Sequence, residues 1–238
     1  MKKYEVILQD LEKKIFDDIY KENELLPSEN ELSKIYKVSR ATVRQALKIL
    51  ADNGMIQQRH GFGSMVIPHK KLLFPITGLT SFKELRTSMH LESETEVLIF
   101  GTIEMDEKLA TLTDFPVGCE AYHILRRRKL DGKYTILDRD FFRCDYAPEL
   151  TREHAMDSTY EYLEDSLGLE IAYAQKEITV DFASEEDFEL LDLNPMDRHV
   201  VSVKSHVYLA DNTPFQYTES RHQVDKFRFT EFARRQKR

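Results

Sequence analysis

The stretch from Leu26 to Val66 constrains the fold of this chain most, because it combines two helix starts, a basic helix and a glycine-rich turn. Ser28 predicts a helix N-cap, and Glu31 three residues later completes a capping box. Ser39 predicts the start of a second helix, in which apolar residues follow the period of one buried face. Those apolar residues are Val43, Ala46, Leu47, Leu50 and Ala51. Two helices so closely spaced predict a helix-turn-helix.

The opposite face of the second helix carries the residues that would enter a DNA major groove. They are Arg40, Ala41, Thr42, Arg44 and Lys48. Arginine suits bidentate contact with guanine or with phosphate. Asn53-Gly54 predicts the helix end, and two short strands follow at residues 55–58 and 64–67. The turn between them, Arg59-His60-Gly61-Phe62-Gly63, predicts a basic wing.

Two further helical patterns flank this stretch. Residues 4–20 place apolar side chains at helical spacing, and we expect one buried stripe. Its members are Tyr4, Ile7, Leu8, Leu11, Ile15 and Ile19. The helix that begins after Ser28 is expected to bury Leu32, Ile35 and Tyr36.

The charge distribution favours DNA as a partner, although the whole chain has a net charge of −8. Residues 33–71 hold eight basic residues against one acidic residue, a net charge of +7. Residues 1–32 carry −4 and residues 72–238 carry −11. Phosphate attraction depends on the local patch, because charges more than about 8–10 Å apart are largely screened. The concentrated basic segment therefore outweighs the acidic total.

The remaining sequence predicts a second domain and an α+β two-domain chain. We place the DNA-binding domain at residues 1–67, a linker at residues 68–74, and the second domain at residues 75–238. Asp131-Gly132 and Asp211-Asn212 predict two hairpin turns. Strands and short helices intermix without strict alternation, so we expect an antiparallel sheet. The predicted strands are 97–104, 121–130, 133–142, 172–182, 200–209 and 214–221, and the predicted helices 106–112, 158–167 and 184–191.

Several functional classes find no support in the sequence. No apolar run approaches the roughly 20 residues of a membrane span, and the N-terminus lacks a signal-peptide core. Cys119 and Cys144 form no disulfide framework and no metal-ligand spacing. We find no phosphate loop and no Ser-His-Asp order. The sequence thus predicts a cytoplasmic protein with no metal, no cofactor, no catalytic residues and no membrane partner.

An anion site is predicted on one strand of the second domain. Arg126 and Arg128 share a face of this strand, because side chains alternate along it. Two guanidiniums on one face can hold a phosphate through charge-assisted hydrogen bonds. Ser158, at a predicted helix start, adds a hydroxyl and free amides. Alternatively, the arginines pair with Asp138 or Asp140 across the hairpin, as a structural ladder.

The motifs resemble a known family. LPSENEL, VSRATVRQALKIL, NGMIQ and RHGFGSMV are similar to the DNA-binding domain of GntR-type bacterial regulators. Arg126-x-Arg128-x-x-Asp131-Gly132, Ser158-x-Tyr160 and the run Gln216 to Ser220 resemble the UTRA effector-binding domain of the HutC subgroup. The resemblance implies a winged helix-turn-helix followed by a chorismate-lyase-like antiparallel domain.

The resemblance also implies which residues contact DNA. It points to the recognition helix, its cap and the wing, where a glycine lets the backbone approach the minor groove. Many members carry arginine where this chain has Asn30, so their operator preference does not carry over. The expected DNA-binding residues are Ser28, Asn30, Ser39, Arg40, Ala41, Thr42, Arg44, Arg59, His60 and Gly61.

For the second domain, the resemblance implies a homodimeric repressor that binds double-stranded operator DNA and is released by a sugar phosphate. Arg126, Arg128 and Ser158 would hold the phosphate. FPITGLTSFKEL, YEYLEDSLGL and FQYTESRHQVDKFRF resemble members that sense trehalose-6-phosphate. Gln216 and His222 replace the Glu and Tyr of amino-sugar sensors. The expected effector-binding residues are Ser81, Phe82, Arg126, Arg128, Asp140, Ser158, Tyr160, Gln216, Tyr217, Glu219 and His222.

Two other functions stay open at this point. A repressor of the same architecture can sense a different ligand, such as an amino-sugar phosphate or another small anion. A lyase-type enzyme is the second alternative, because the second domain is expected to share its fold with a lyase.

Overall fold

The structure is a computed structural model that describes residues 2–59, 62–67, 79–88 and 92–227. These residues form two compact units, an N-terminal unit up to residue 67 and a C-terminal unit from residue 79 to residue 227. The predicted linker, residues 68–74, lies outside the described residues.

The N-terminal unit contains three helices and a two-stranded hairpin. Its elements are α1 (Lys3–Phe16), α2 (Glu29–Tyr36), α3 (Arg40–Asp52), β1 (Ile56–Arg59) and β2 (Gly63–Val66). One apolar core joins them, and its fully buried members include Leu11, Leu32 and Leu47. All five apolar residues predicted for the buried face of α3 lie in this core.

Local capping fixes the helix-turn-helix. The hydroxyl of Ser28 accepts a hydrogen bond from the amide of Glu31, whose carboxylate accepts one from the amide of Ser28. Lys37 turns the chain after α2 in the left-handed region, with φ of 52°. Ser39 then caps α3 by accepting from the amide of Thr42. Both predicted caps are confirmed.

Two predictions of burial in this unit are wrong. Ile19 is exposed because α1 ends at Phe16, and Asp18 adopts a positive φ that breaks the helical period. Ile35 is also exposed, since the two turns of α2 bury only Leu32 against the core. Tyr36 is partly buried and donates its hydroxyl to Asp10 instead.

The C-terminal unit is built on one six-stranded antiparallel sheet with strand order β3-β4-β5-β8-β7-β6. The strands are β3 (Ser93–Glu104), β4 (Glu120–Leu130), β5 (Lys133–Arg143), β6 (Ile171–Phe182), β7 (His199–Leu209) and β8 (Pro214–Gln223). The helices are α4 (Phe82–Ser88), α5 (Glu107–Thr113), α6 (Arg152–Met156), α7 (Thr159–Glu161) and α8 (Glu185–Leu190). The predicted antiparallel α+β architecture is confirmed.

Both predicted hairpin turns form. Asp131 and Gly132 have φ of 50° and 79°, the pair of positive values that a type I′ turn requires. Asn212, with φ of 67°, turns the chain between β7 and β8. The helix predicted for residues 158–167 forms after its Ser158 cap, but α7 passes directly into a π-helical turn over Tyr162–Ser166.

The two faces of this sheet have different coverings. One face packs Ile124 and Phe142 against Ala155 and Leu163, which belong to α6 and the π-helical turn; we call it the ligand face. The other face of the sheet packs against the region of α5 and α8. In the described part of the chain, no helix has the length and apolarity to cross a membrane.

Candidate nucleic-acid interface and candidate ligand site

The exposed face of α3 presents the basic residues that the sequence predicted. Arg40 and Arg44 begin the helix and leave 60% and 61% of their side chains exposed, while Lys48 lies one turn further along and is also exposed. The carboxylate of Glu29, the first residue of α2, contacts both arginines. The hydroxyl of Thr42 is hydrogen-bonded to Ser39 at 2.9 Å. The arrangement can place two guanidiniums against base edges or phosphates.

The other residues predicted for DNA contact are placed unevenly. Asn30 is exposed on the first turn of α2. The amide of Ser28 is already donated to Glu31 at 2.8 Å, so the idea that it is open to a phosphate is wrong for this conformation. Arg59 pairs with Gly63 through the backbone of the wing. His60 and Gly61 lie outside the described residues.

On the ligand face of the C-terminal unit, Arg126 and Arg128 lie side by side and are buried, as the alternation along β4 predicted. Arg127 points to the other face, where it stacks on Tyr134 and pairs with Glu96. Burying two guanidiniums is costly unless acceptors surround them. The acceptors therefore determine what this site can do.

Two aspartates of the neighbouring strand β5 supply most of that compensation. Arg126 Nη2 lies 2.6 Å from Asp140 Oδ2, and Arg128 Nε lies 2.5 Å from Asp138 Oδ2. The alternative of a cross-strand ion-pair ladder is thus present in the structure. This ladder does not satisfy every hydrogen-bond donor of Arg126, because the buried Nε has no acceptor among the described residues. That unpaired donor can take a further acceptor at the arginine pair.

Burial and charge compete at these groups. Burial alone would raise the pKa of Asp138, but Arg128 and Arg126 outweigh it and hold the pKa below its ordinary value. Burial likewise opposes the charged form of Arg126, yet Asp140 and Asp138 raise its pKa above the ordinary value. Burial lowers the pKa of Arg128, the other guanidinium of the pair, from its ordinary value despite the attraction of Asp138.

A chain of polar side chains continues from this cluster. The hydroxyl of Tyr160 donates to Gln216 Oε1 at 2.8 Å, and Gln216 Nε2 donates to Asp140 Oδ1 at 3.1 Å. Ser158 is buried and caps α7 by accepting from the amide of Glu161. The structure thus brings Tyr160, Gln216 and Asp140 together beside Arg126, in a row suited to sugar hydroxyls.

Helix α4 covers the other end of the arginine pair. The ring of Phe82 lies 3.9 Å from the guanidinium carbon of Arg128. Lys83 forms ion pairs with Asp157 at 2.6 Å and Glu161 at 2.5 Å, the residues on either side of the Ser158 cap. Ser81 caps α4 by accepting from the amide of Glu84. All of these contacts lie within the C-terminal unit.

Tyr217 and Glu219 require a correction. They alternate with Gln216 along β8 and therefore lie on the face opposite the arginine pair. Tyr217 packs with Phe141, and Glu219 contacts Arg221. The expectation that they lie beside the arginine pair is therefore wrong, because side chains alternate along β8.

His222 lies on the same face of the sheet as the arginine pair, and beside it is Ser220, which the sequence reasoning did not select. Ser220 Oγ is hydrogen-bonded to Asp138 Oδ1 at 2.5 Å and lies 2.9 Å from His222 Nε2. In a catalytic triad the aspartate orients the histidine, whereas here the serine lies between them. Burial lowers the pKa of His222 to about 4, so its ring is neutral at pH 7.

This neutral histidine predicts a pH dependence. Because its folded pKa lies near 4 and its ordinary value is 6.5, the unfolded chain binds more protons between these values. The free energy of unfolding is therefore expected to fall by roughly 3 kcal/mol as the pH drops from 6.5 to 4. Urea titrations across this range should show a flatter profile for His222→Gln, which keeps an acceptor but cannot titrate. Equal pH profiles of unfolding for the wild type and His222→Gln would contradict a buried neutral histidine.

Comparison with protein families supports both units. Residues 3–66 match the model of the bacterial regulatory proteins of the gntR family. Residues 88–228 match the model of the UTRA domain. Among the described residues, no cluster of three or more His, Cys, Asp or Glu side chains is arranged to hold a metal ion.

Individual relatives agree with the family match. The chain is 46% identical over 235 residues to the HTH-type transcriptional regulator TreR of Bacillus subtilis, covering 99% of this chain and 98% of that protein. The effector-binding domain of the B. subtilis trehalose repressor TreR superposes with a TM-score of 0.56 at 45% identity, covering 60% of this chain and 99% of that domain. The regulator YydK of B. subtilis superposes with a TM-score of 0.80 over 98% of this chain and 100% of its own, at 22% identity, and shows the fold alone.

Proposed function

This chain belongs to the GntR family of bacterial regulatory proteins and carries a UTRA domain, and from that premise we propose that it represses a trehalose utilisation operon and is released by trehalose-6-phosphate. The proposal has two parts. The N-terminal unit binds operator DNA, and the C-terminal unit binds the sugar phosphate. We assign no catalytic step to the chain and place it in the cytoplasm.

The ligand part rests on one observation above the others: the buried pair Arg126 and Arg128, with one donor of Arg126 free. A phosphate is the acceptor that suits a guanidinium pair, since it accepts several charge-assisted hydrogen bonds at once. The aspartates orient both arginines before the ligand arrives. Phosphate oxygens would take the free Nε of Arg126 and displace part of the contacts to Asp140.

The sugar part of the ligand is inferred from the neutral polar groups beside the arginines. Gln216 and Tyr160 offer an amide and a hydroxyl, and the ring of His222 carries no charge at pH 7. Such groups suit hydroxyls rather than an ammonium group. The 46% identity to TreR, whose effector-binding domain is that of a trehalose repressor, supports trehalose as the sugar.

We propose a homodimer as the form that binds the operator. A single recognition helix reads few bases, and two copies related by a twofold axis would read two half-sites. The edge strand β6 supports an interface in the C-terminal unit, because Val180 and Phe182 are exposed on it. We further propose that ligand binding moves α4, through Phe82 and Lys83, and so changes the spacing of the DNA-binding units through the linker.

Titration calorimetry with three ligands tests the effector assignment. Trehalose-6-phosphate is expected to bind at least about a hundredfold more tightly than trehalose, because charge-assisted hydrogen bonds contribute about 1.5–3 kcal/mol each. Glucose-6-phosphate is expected to bind less tightly than trehalose-6-phosphate, since it lacks the second sugar. Arg126→Lys, which loses the planar fork, should abolish most of the preference for the phosphate.

Arg127→Lys provides the matched control, because Arg127 is the neighbouring residue on the opposite face of the same strand. It should leave all three affinities unchanged. Equal affinities for trehalose and its phosphate would contradict the anion site. Tighter binding of glucosamine-6-phosphate would identify a repressor that senses a different ligand.

A further inference from the structure

One carboxylate reaches both arginines of the recognition helix. Glu29 Oε1 accepts from Arg44 Nε at 3.1 Å, and its Oε2 accepts from Arg44 Nη2 at 2.9 Å. The same Oε2 lies 3.4 Å from Arg40 Nη2. The contact crosses the turn of the helix-turn-helix, because Glu29 is the first residue of α2 and the arginines begin α3.

The bidentate contact determines which edge of Arg44 is free. A guanidinium has five N–H donors in a fixed plane. Glu29 occupies the edge formed by Nε and Nη2, so the outer edge formed by Nη1 and Nη2 points away from it. The carboxylate side chain is 30% exposed, whereas the Arg44 side chain is 61% exposed. The acid is thus the less exposed partner, and its two contacts do not involve Nη1 of Arg44.

The acid is charged at neutral pH. Its hydrogen bonds to Arg44 hold the pKa of Glu29 below the ordinary value of a glutamate. One negative charge therefore lies beside two positive charges at the surface that would face DNA. This charge weakens attraction to phosphates in general, because phosphate binding depends on the local positive charge. Hydrogen bonding to guanine O6 and N7 depends instead on the orientation of the donors.

These contacts lead to an inference that rests on the proposed DNA-binding function. We propose that Glu29 is a specificity-determining residue of this DNA site, which acts by positioning Arg44 and by opposing non-specific phosphate contacts. Glu29 orients Arg44 so that its outer edge can reach a base. It also disfavours contacts between Arg44 and phosphates that do not depend on the base sequence. Glu29 itself does not touch DNA.

The test compares Glu29→Gln with the wild type of the intact chain on two duplexes. The first is the duplex that the wild type selects from a random pool, and the second is a scrambled duplex of the same composition. Glutamine keeps the shape but has one acceptor oxygen and no charge. The variant is expected to bind the scrambled duplex more tightly, and the affinity ratio of selected to scrambled duplex should fall about tenfold. The salt dependence on the scrambled duplex should steepen by about one to two counterions for each half-site.

Two control variants separate this role from general effects. Asp52→Asn removes one negative charge at the other end of α3, about 18 Å from Arg40 at 1.5 Å per residue, and should leave the affinity ratio unchanged. In an Arg44→Ala background, Glu29→Gln should alter the ratio much less, because only the longer contact of Glu29 with Arg40 remains. A circular dichroism melt checks that each variant is folded.

The outcomes are distinguishable. A wild type that selects no duplex would refute the proposed DNA-binding function. A wild type with a clear preference, together with an unchanged ratio and salt dependence in Glu29→Gln, would overturn the role of Glu29 alone. An equal loss of affinity for both duplexes would overturn it as well, since that result indicates a structural role.

Discussion

Replacement of Arg126 by methionine is expected to lower the free energy of unfolding by about 3–5 kcal/mol, because it breaks a buried ion pair from one side. Asp140 has only 2% of its side chain exposed and would lose the guanidinium that lies 2.6 Å from it. The carbonyl of Ala155 and the hydroxyl of Thr159 would lose their donor as well. Urea unfolding followed by circular dichroism measures the change.

The neighbouring arginine supplies the control for this experiment. Arg127 pairs with Glu96 on the exposed face of the same strand, with 23% and 47% of the side chains accessible. Exposed ion pairs contribute little to stability, so Arg127→Met should lower the free energy of unfolding by at most about 1 kcal/mol. If both variants lose the same stability, Arg126 is not the counterion that keeps Asp140 buried.

A double variant tests whether the cost comes from the stranded charge. Arg126→Met with Asp140→Asn removes both charges, while the asparagine oxygen still accepts from Gln216. The double variant is expected to be more stable than Arg126→Met alone, by about 2 kcal/mol or more. A double variant that is less stable than the single one would show that Asp140 stabilises the fold without Arg126.

The sequence predicted the parts of this fold that depend on local chemistry. Ser28 with Glu31, and Ser39 with Thr42, form their caps within four residues, and any helix that starts there meets the same requirement. Asp131-Gly132 makes a tight turn because both residues tolerate positive φ. The faces of Arg126 and Arg128 followed from alternation alone.

The parts that depend on distant contacts could not be predicted in the same way. The choice between a phosphate site and a structural ladder at Arg126 depends on the register of β4 and β5, which places Asp138 opposite it. The register is a tertiary property. The contact of Glu29 with Arg44 also joins two helices, and nothing in the spacing of the residues predicts its geometry. The error at Tyr217 differs, because alternation along β8 was visible in the sequence.

Replacement of Arg44 by alanine is expected to weaken operator binding by about 1–3 kcal/mol for each half-site, which doubles in a homodimer. The loss arises because Arg44 presents guanidinium donors that Glu29 does not occupy on the exposed face of α3. If this edge reads a guanine, sequence preference at one base pair of each half-site should relax. Gel-shift titrations against the selected duplex and its single-base variants measure both quantities.

Lys48→Ala separates base reading from phosphate contact at the same surface. Lys48 lies one turn further along α3 and is exposed, and a lysine is suited to a phosphate as a point charge. The Lys48→Ala variant should bind every duplex more weakly by the same factor, and its salt dependence should be flatter by about one counterion. The same pattern in Arg44→Ala would make Arg44 a phosphate contact, and no change in Arg44→Ala would refute α3 as the recognition helix. A wild-type footprint over one half-site only would refute the proposed homodimer.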